Sequence, residues 1–447
     1  MPDRIAVRQV IHQERLLLSL AALFVILNRV ALTISSGGRW YALWPLLLWL
    51  ACAVGMHLAL NHLLPRRDPL ILPVVLLLSG WGLTLVARLA PAFGTRQAIW
   101  LGVACLAATL IAGLPPGLRV LRRFRYTWLL AGLLLLAATL VFGVNPSGSQ
   151  YAPRLWLGFG ILYFQPSEIL KLLLIVFLAS YLAEKREIIV TTGTHVGRWH
   201  IPALPYIGPL LLMWGMSMIL LVWQRDLGAA SLFFLIFLSM LYVSTGQPGY
   251  VLAGLAMLVA AGILGYLLYD VVQLRVDTWL NPWPEASDRA FQIVQSLLAV
   301  AAGGLFGQGV GLGNPTFIPV VHSDFVFAAI AEEWGLLGTL GIVACMALLV
   351  ARALRMAALN ADRAPFKALL AAGIGVALGI QSLLIMGGVL KIIPLTGVTL
   401  PFVSYGGSSL LSSFIMIGLL LRISDGETSL RLRSLFETTS PTVEFTP

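Results

Sequence analysis

The 447 residues include 59% hydrophobic and only 11% charged side chains, with 29 Lys and Arg against 19 Asp and Glu for a net charge of +10. Soluble domains carry roughly 25% charged residues, so a soluble or secreted enzyme, a nucleic-acid binder and a disordered scaffold are all excluded. Cys52, Cys105 and Cys345 lie in apolar segments with no CxxC pair and no nearby histidine cluster, which indicates neither a disulfide frame nor a zinc site.

The charged stretch from Met1 to Arg15 leads into an apolar run that is too long for a signal peptide and lacks a small-residue cleavage pattern, so it reads as a retained first span. Apolar runs of about 17–25 residues place spans near 16–34, 42–62, 69–88, 96–113, 127–144, 167–183, 206–223, 228–245, 250–270, 325–351, 366–388 and 406–422. The pattern predicts an all-α polytopic membrane protein. With a cytoplasmic N-terminus, nineteen Lys and Arg fall on inner loops and tails, among them Arg119, Arg122, Arg123, Arg125 and Arg198, and eight fall outside, among them Arg39, Arg88, Arg96, Arg154, Arg225, Arg275 and Lys391. That asymmetry is the positive-inside signature. It predicts both termini in the cytoplasm and accounts for the positive charge without a nucleic-acid partner.

Polar groups inside or beside these spans need a reason, because an ionised side chain at the bilayer centre costs about 2.5–3.5 kcal/mol on insertion scales. Glu168 and Lys171 stand three apart on one helical face, where they either line a polar cavity or form a structural ion pair. Asp226, in a tight turn before Leu227-Gly228, reads as a helix cap. The connection 271–324 is the longest and falls on the outer side. It contains an apolar piece, Ala290–Ala302, too short to span, followed by Gly303, Gly304, Gly307, Gly309, Gly311 and Gly313. A re-entrant or interfacial helix ending in a glycine-rich loop is expected there. Asp324 closes this connection beside His322 and can either cap the next helix or serve as a site carboxylate. Glu332 and Glu333 are adjacent and point about 100° apart, so one of them is expected to be structural. Pro394 to Ser409 is irregular, and non-helical backbone at this depth must be buried or line a cavity.

Four of these segments carry a resemblance: Phe164-Gln165-Pro166-Ser167-Glu168 with Lys171; Arg225-Asp226-Leu227-Gly228; Gln292 through Gly307-Gln308-Gly309 to His322-Ser323-Asp324-Phe325 and Glu332-Glu333; and Pro394 through Ser409. In this order and topology the chain resembles the SEDS family of integral membrane proteins that includes FtsW and RodA. The resemblance implies a ten-span SEDS core over residues 66–424, preceded by an extension of two further spans within 1–65 and followed by a loose cytoplasmic tail, 425–447. It further implies a peptidoglycan glycosyltransferase that polymerises lipid II at the outer face of the bacterial cytoplasmic membrane, working with a class B penicillin-binding protein, with Asp324 at the position of the family's essential carboxylate. Three departures from the family pattern bear on cavity contacts: Arg154 is separated from Trp156 by Leu155, Arg225 stands where relatives have proline, and Gly387–Lys391 replaces an asparagine-containing stretch.

The residues fit that chemistry. Glycan extension needs one positioned carboxylate to take the proton of the acceptor hydroxyl, and the departing lipid pyrophosphate, already a stable anion, needs cations rather than an acid. Arg96, Arg154, Arg225, Lys391 and Lys171 are the candidate cations, Glu168, His322, Ser404 and Tyr405 further substrate contacts, and a divalent cation such as Mg2+ or Mn2+ a possible aid, with no organic cofactor expected. The glycine-rich loop is a weaker candidate donor of N–H groups. A lipid II flippase and a non-catalytic scaffold for the division or elongation machinery remain the alternatives.

Overall fold

The computed structural model describes residues 2–35, 43–146, 154–159, 162–196 and 199–437. In chain order the helices are α1 (Pro2–Ser35), α2 (Trp44–Leu63), α3 (Ile71–Leu89), α4 (Pro91–Ala112), the short α5 (Arg119–Arg123), α6 (Arg125–Phe142), α7 (Pro166–Thr191), α8 (Leu204–Trp223), α9 (Leu227–Thr245), α10 (Pro248–Leu268), α11 (Asp270–Leu280), α12 (Phe291–Gly303), α13 (Val326–Asn360), α14 (Pro365–Val389) and α15 (Gly407–Glu437). Two small antiparallel hairpins interrupt the helices, Leu157–Phe159 with Leu162–Phe164 and Gly193–Val196 with Trp199–Pro202. Among the described residues twelve helices are long and apolar enough to cross a bilayer, all but α5, α11 and α12. They coincide with the twelve expected spans, and α12 is the expected short apolar helix of the long connection. Arg39 and Arg198, which entered the charge asymmetry, lie outside the described residues.

Local rules set the helix ends. Proline opens α4, α7, α10 and α14, where its fixed φ suits the first turn and its missing N–H is no loss. Asp226 caps α9 by accepting from the Ala229 N–H at 3.1 Å. The 35 residues of α13 would reach about 52 Å at 1.5 Å per residue, well beyond a hydrocarbon core of about 30 Å. The helix is broken at Gly335, whose φ of 64° takes it out of the helical region. The carbonyls of Glu332 and Glu333 accept from Gln308 and Gly309, while Leu336 and Leu337 donate to the carbonyls of Gly304 and Leu305. The glycine-rich loop thus satisfies the four groups that would otherwise make two bonds within an unbroken helix.

The core is built on α3, α7, α14 and α15, whose spans are more than two-thirds buried, whereas α10 is 6% buried and α8 17%, so these two form the lipid-facing rim. Helix α15 continues beyond the last span through residues 425–437.

The N-terminal pair is fastened to the core by charge. The carboxylate of Glu14 in α1 accepts from Arg67 Nε at 2.8 Å and from Arg67 Nη2 at 2.5 Å, and lies 2.6 Å from His57 Nδ1 in α2. Arg67 also donates to Asn61 Oδ1 and to the Leu64 carbonyl, and both Glu14 and Arg67 are fully buried. The same turn is tied to the core by Asp68, paired with Arg352 at 3.1 Å, and by backbone bonds from Arg66 and Asp68 to Asp425 and Ser424.

Candidate active site

The connections that precede α4, α7, α9, α13 and α15 meet at one end of the bundle, and the polar residues singled out by sequence converge there. Asp324 sits one residue outside the N-cap of α13. That cap position is Phe325, and no side chain caps the helix. The Asp324 carboxylate instead accepts from Ser323 Oγ at 2.7 Å. Of the two acidic candidates for capping, Asp226 therefore caps and Asp324 does not.

The segment 394–409 is stitched over this carboxylate. Tyr405 N–H donates to the His322 carbonyl at 2.8 Å, and Ser404 Oγ donates to the Ser323 carbonyl at 2.7 Å while accepting from the Leu400 N–H at 2.9 Å. Both sides of the Ser404 hydroxyl are thus engaged with backbone. Gly397, at φ +73°, has open space on its Cβ side with only Asp324 Oδ2 nearby, at 3.7 Å from where a Cβ would stand.

Arg275 of α11 supplies a cation that the sequence did not single out. It faces both Asp324 and Asp226 and lies 3.5 Å from the Thr396 carbonyl. Gln165 joins the group by donating to Asp226 Oδ2 at 3.3 Å. Burial raises the pKa of Asp324, opposed by the Ser323 hydrogen bond and by Arg275. Burial likewise raises Asp226, opposed by the Ala229 N–H, and it lowers that of His322.

Behind this group, Lys171 Nζ donates to Glu168 Oε2 and to Gln381 Oε1, each at 2.7 Å, and Ser412 Oγ donates to the same Glu168 oxygen at 3.0 Å. Gln381 continues to the Thr399 carbonyl at 2.8 Å, and Thr399 Oγ1 to Ser409 at 2.7 Å. The buried lysine is therefore a strut under the 394–409 segment as well as a positive charge. In front lies an aromatic shelf: Phe93 stacks on His322 with centroids 5.0 Å apart and leans on Tyr405 at 4.7 Å, and the Arg96 guanidinium rests 5.8 Å from Phe93 and 6.0 Å from Tyr163.

Other expected residues are placed less centrally. Lys391 reaches the Leu280 carbonyl at 3.4 Å and closes the end of α11. Arg154 and Arg225 are exposed, and among the described residues no side-chain bond ties either to the Asp324 group. Both members of the 332–333 pair are structural, not one: Glu332 accepts from the Asn314 N–H at 2.7 Å, and Glu333 pairs with Arg88, which also donates to the Gly313 carbonyl. In the glycine-rich loop the amides of Gly307, Gln308, Gly309 and Leu312 are bonded to backbone carbonyls and so are not free to donate to a ligand. Among the described residues no three His, Cys, Asp or Glu side chains gather to hold a metal ion.

A partly buried carboxylate with its lone pairs uncommitted to a cap, an arginine near two aspartates and an aromatic shelf gather at one end of a helical bundle whose spans are those of a multi-pass membrane protein. The FtsW/RodA/SpoVE cell cycle protein family matches residues 70–429, and the chain belongs to that family. It is similar to the peptidoglycan glycosyltransferase RodA of Mycobacterium tuberculosis, with 37% identity over 380 residues covering 83% of this chain and 80% of the relative. With the RodA of Mycobacterium leprae it shares 35% identity over 443 residues, 96% of this chain and 93% of the relative. A solved structure described under "Structural coordination of polymerization and crosslinking by a peptidoglycan synthase complex" superposes with a TM-score of 0.65 at 30% identity, covering 81% of this chain and 98% of that one.

Proposed function

We propose that this protein is a peptidoglycan glycosyltransferase that polymerises lipid II, with Asp324 as general base. The carrying observation is that Asp324 is held by one hydroxyl and faced by Arg275 without serving as a cap. The acceptor sugar hydroxyl attacks the anomeric carbon of the donor, its proton passes to Asp324, and undecaprenyl pyrophosphate departs as an anion. Arg275, Arg96 and, from behind, Lys171 supply positive charge for the pyrophosphate, and the shelf of Phe93, His322 and Tyr405 offers flat faces to the sugars. A divalent cation such as Mg2+ or Mn2+ would be held mainly by pyrophosphate and water oxygens, with Asp226 as the nearby carboxylate ligand, because Asp324 has to stay free to take the proton. Such an ion supplies further charge neutralisation at the leaving group. A flippase would need polar groups to continue across the bundle, but beyond Lys171 α7 buries Leu172, Leu174, Ile175, Val176, Phe177 and Leu178.

The charge asymmetry supports an active site facing outward from the bacterial cytoplasmic membrane with both termini inside. A class B penicillin-binding protein is the expected partner, in keeping with the synthase complex among the structural relatives. Purified protein, with and without that partner, is expected to convert fluorescent lipid II into glycan ladders. No ladder under either condition, together with lipid II scrambling in liposomes, would overturn the reading in favour of the flippase.

Two predictions follow from the geometry around the base. Because burial raises the Asp324 pKa, polymerisation is expected to climb with pH as the carboxyl ionises, and Arg275→Gln, which removes a charge opposing that rise, should move the acidic limb to higher pH. Stability runs the other way. Between the ordinary value of 3.8 and the raised one, the folded state holds more proton than the unfolded state, so this group's contribution falls as pH rises through that window. Initial rates and melting temperatures across the same pH series check both signs. Gly397→Ala is expected to cost about 1–2 kcal/mol for a left-handed alanine and, by filling the space beside Asp324, to slow polymerisation by up to about 100-fold. Equal losses of rate and folded fraction would reduce Gly397 to a backbone role.

A further inference from the structure

The end of the bundle remote from Asp324 carries two adjoining cavities that the reaction does not use. The first, of about 480 Å³, is lined by Arg119, Arg122, Arg123, Arg125, Tyr126 and Glu184. The second, of about 640 Å³, shares Arg119 with it and is walled by apolar groups that include Ile111, Leu114, Val120, Leu121 and Trp128. Both fall within the roughly 300–1,000 Å³ of small-molecule sites.

Charge in the first cavity is not balanced from within. Glu184 is held by Arg125 at 2.7 Å and lies 3.5 Å from Lys185, so Arg119, Arg122 and Arg123 are left without an acidic partner among the described residues. The platform that carries them is fixed. Leu118, with a φ of 49° and a buried side chain, turns the chain out of Pro115-Pro116-Gly117 into α5. Ser180 Oγ of α7 then donates to the Arg122 carbonyl at 3.4 Å, and Arg125 donates to the Ser180 carbonyl at 3.2 Å. The apolar cavity is open, since Val120 is 51% and Trp128 38% exposed. Positive-inside placement requires arginines near headgroups, but it requires neither a cavity among them nor an apolar one alongside.

We propose that the two cavities form one binding site for an anionic phospholipid. Its phosphate sits among Arg119, Arg122 and Arg123, and an acyl chain occupies the apolar cavity against Val120 and Trp128. On the topology proposed above the site opens to the inner leaflet, whose surface is anionic. A basic rim fused to an apolar pocket matches that class of molecule in both halves, whereas a soluble phosphate would leave the apolar half empty.

The full-length protein in non-ionic detergent, titrated with phosphatidylglycerol or with phosphatidylcholine of identical chains, is the test, read by native mass spectrometry. One phosphatidylglycerol should be retained in preference to phosphatidylcholine, and retention should weaken about 30-fold in Arg122→Gln/Arg123→Gln protein but stay unchanged in Arg289→Gln protein. Brominated chains should quench tryptophan fluorescence, and Trp128→Phe should remove that quenching, a readout that does not depend on the arginine variant's folding. Equal retention of the two lipids, or undiminished retention in the double variant, would overturn the proposal. Displacement by inorganic phosphate at equal concentration would overturn it in favour of a soluble phosphate ligand.

Discussion

Asp324→Asn protein is expected to lose glycan polymerisation by a factor of about 10²–10⁴, the range over which a positioned general base accelerates proton transfer. The substitution keeps the size of the side chain and its bond from Ser323, and removes only the charge and basicity. Folding should be unimpaired, because Asp324 caps no helix and burial already disfavours its charged form. Lipid II binding should persist, since the shelf of Phe93, His322 and Tyr405 and the cations Arg96 and Arg275 are untouched. Gel analysis of products alongside the melting temperature makes the comparison, and ladders formed at the wild-type rate would remove Asp324 from the chemistry.

The largest effect on stability is expected at the other end of the bundle. Arg67→Met leaves the buried Glu14 carboxylate facing only His57, and removing one member of a buried ion pair costs about 3–5 kcal/mol. Replacing both charges, as in Glu14→Leu/Arg67→Met, should recover most of that loss, because the desolvation cost disappears with the pair. Thermal unfolding of the four proteins of this cycle gives the coupling directly. A single variant that melts with the wild type would show that α1 and α2 are held by apolar packing alone.

What sequence could and could not reveal follows from the range of the forces involved. Every span was legible, because a bilayer obliges each crossing to be a continuous apolar helix whatever it packs against. Asp324 and the Glu168–Lys171 pair were legible for the complementary reason, since an ionisable group at such a depth needs an explanation. Arg275 was not. On α11, between Leu274 and Val276, it looks like one more outer charge, and only the folding of α11 over the 394–409 segment turns it toward two aspartates 49 residues upstream and downstream. The Glu14–Arg67 pairing was hidden in the same way by a sequence separation of 53. In the glycine-rich loop the amides of Gln308 and Gly309 are claimed by the carbonyls of Glu332 and Glu333, a helix break visible only in three dimensions.

That break bears on how the protein is made. Regular bonding would join Leu336 to Glu332 and Leu337 to Glu333, and all four of these groups are instead satisfied by residues 304–309. In hydrocarbon, unsatisfied backbone groups cost several kcal/mol each, so α13 in its bent form cannot be released into lipid before the segment synthesised just ahead of it has docked. The translocation machinery is therefore expected to hold α12, the loop and α13 together and to hand them to the bilayer as a single unit. Crosslinks between the nascent chain and the insertion channel should then vanish from α12 and α13 at the same chain length.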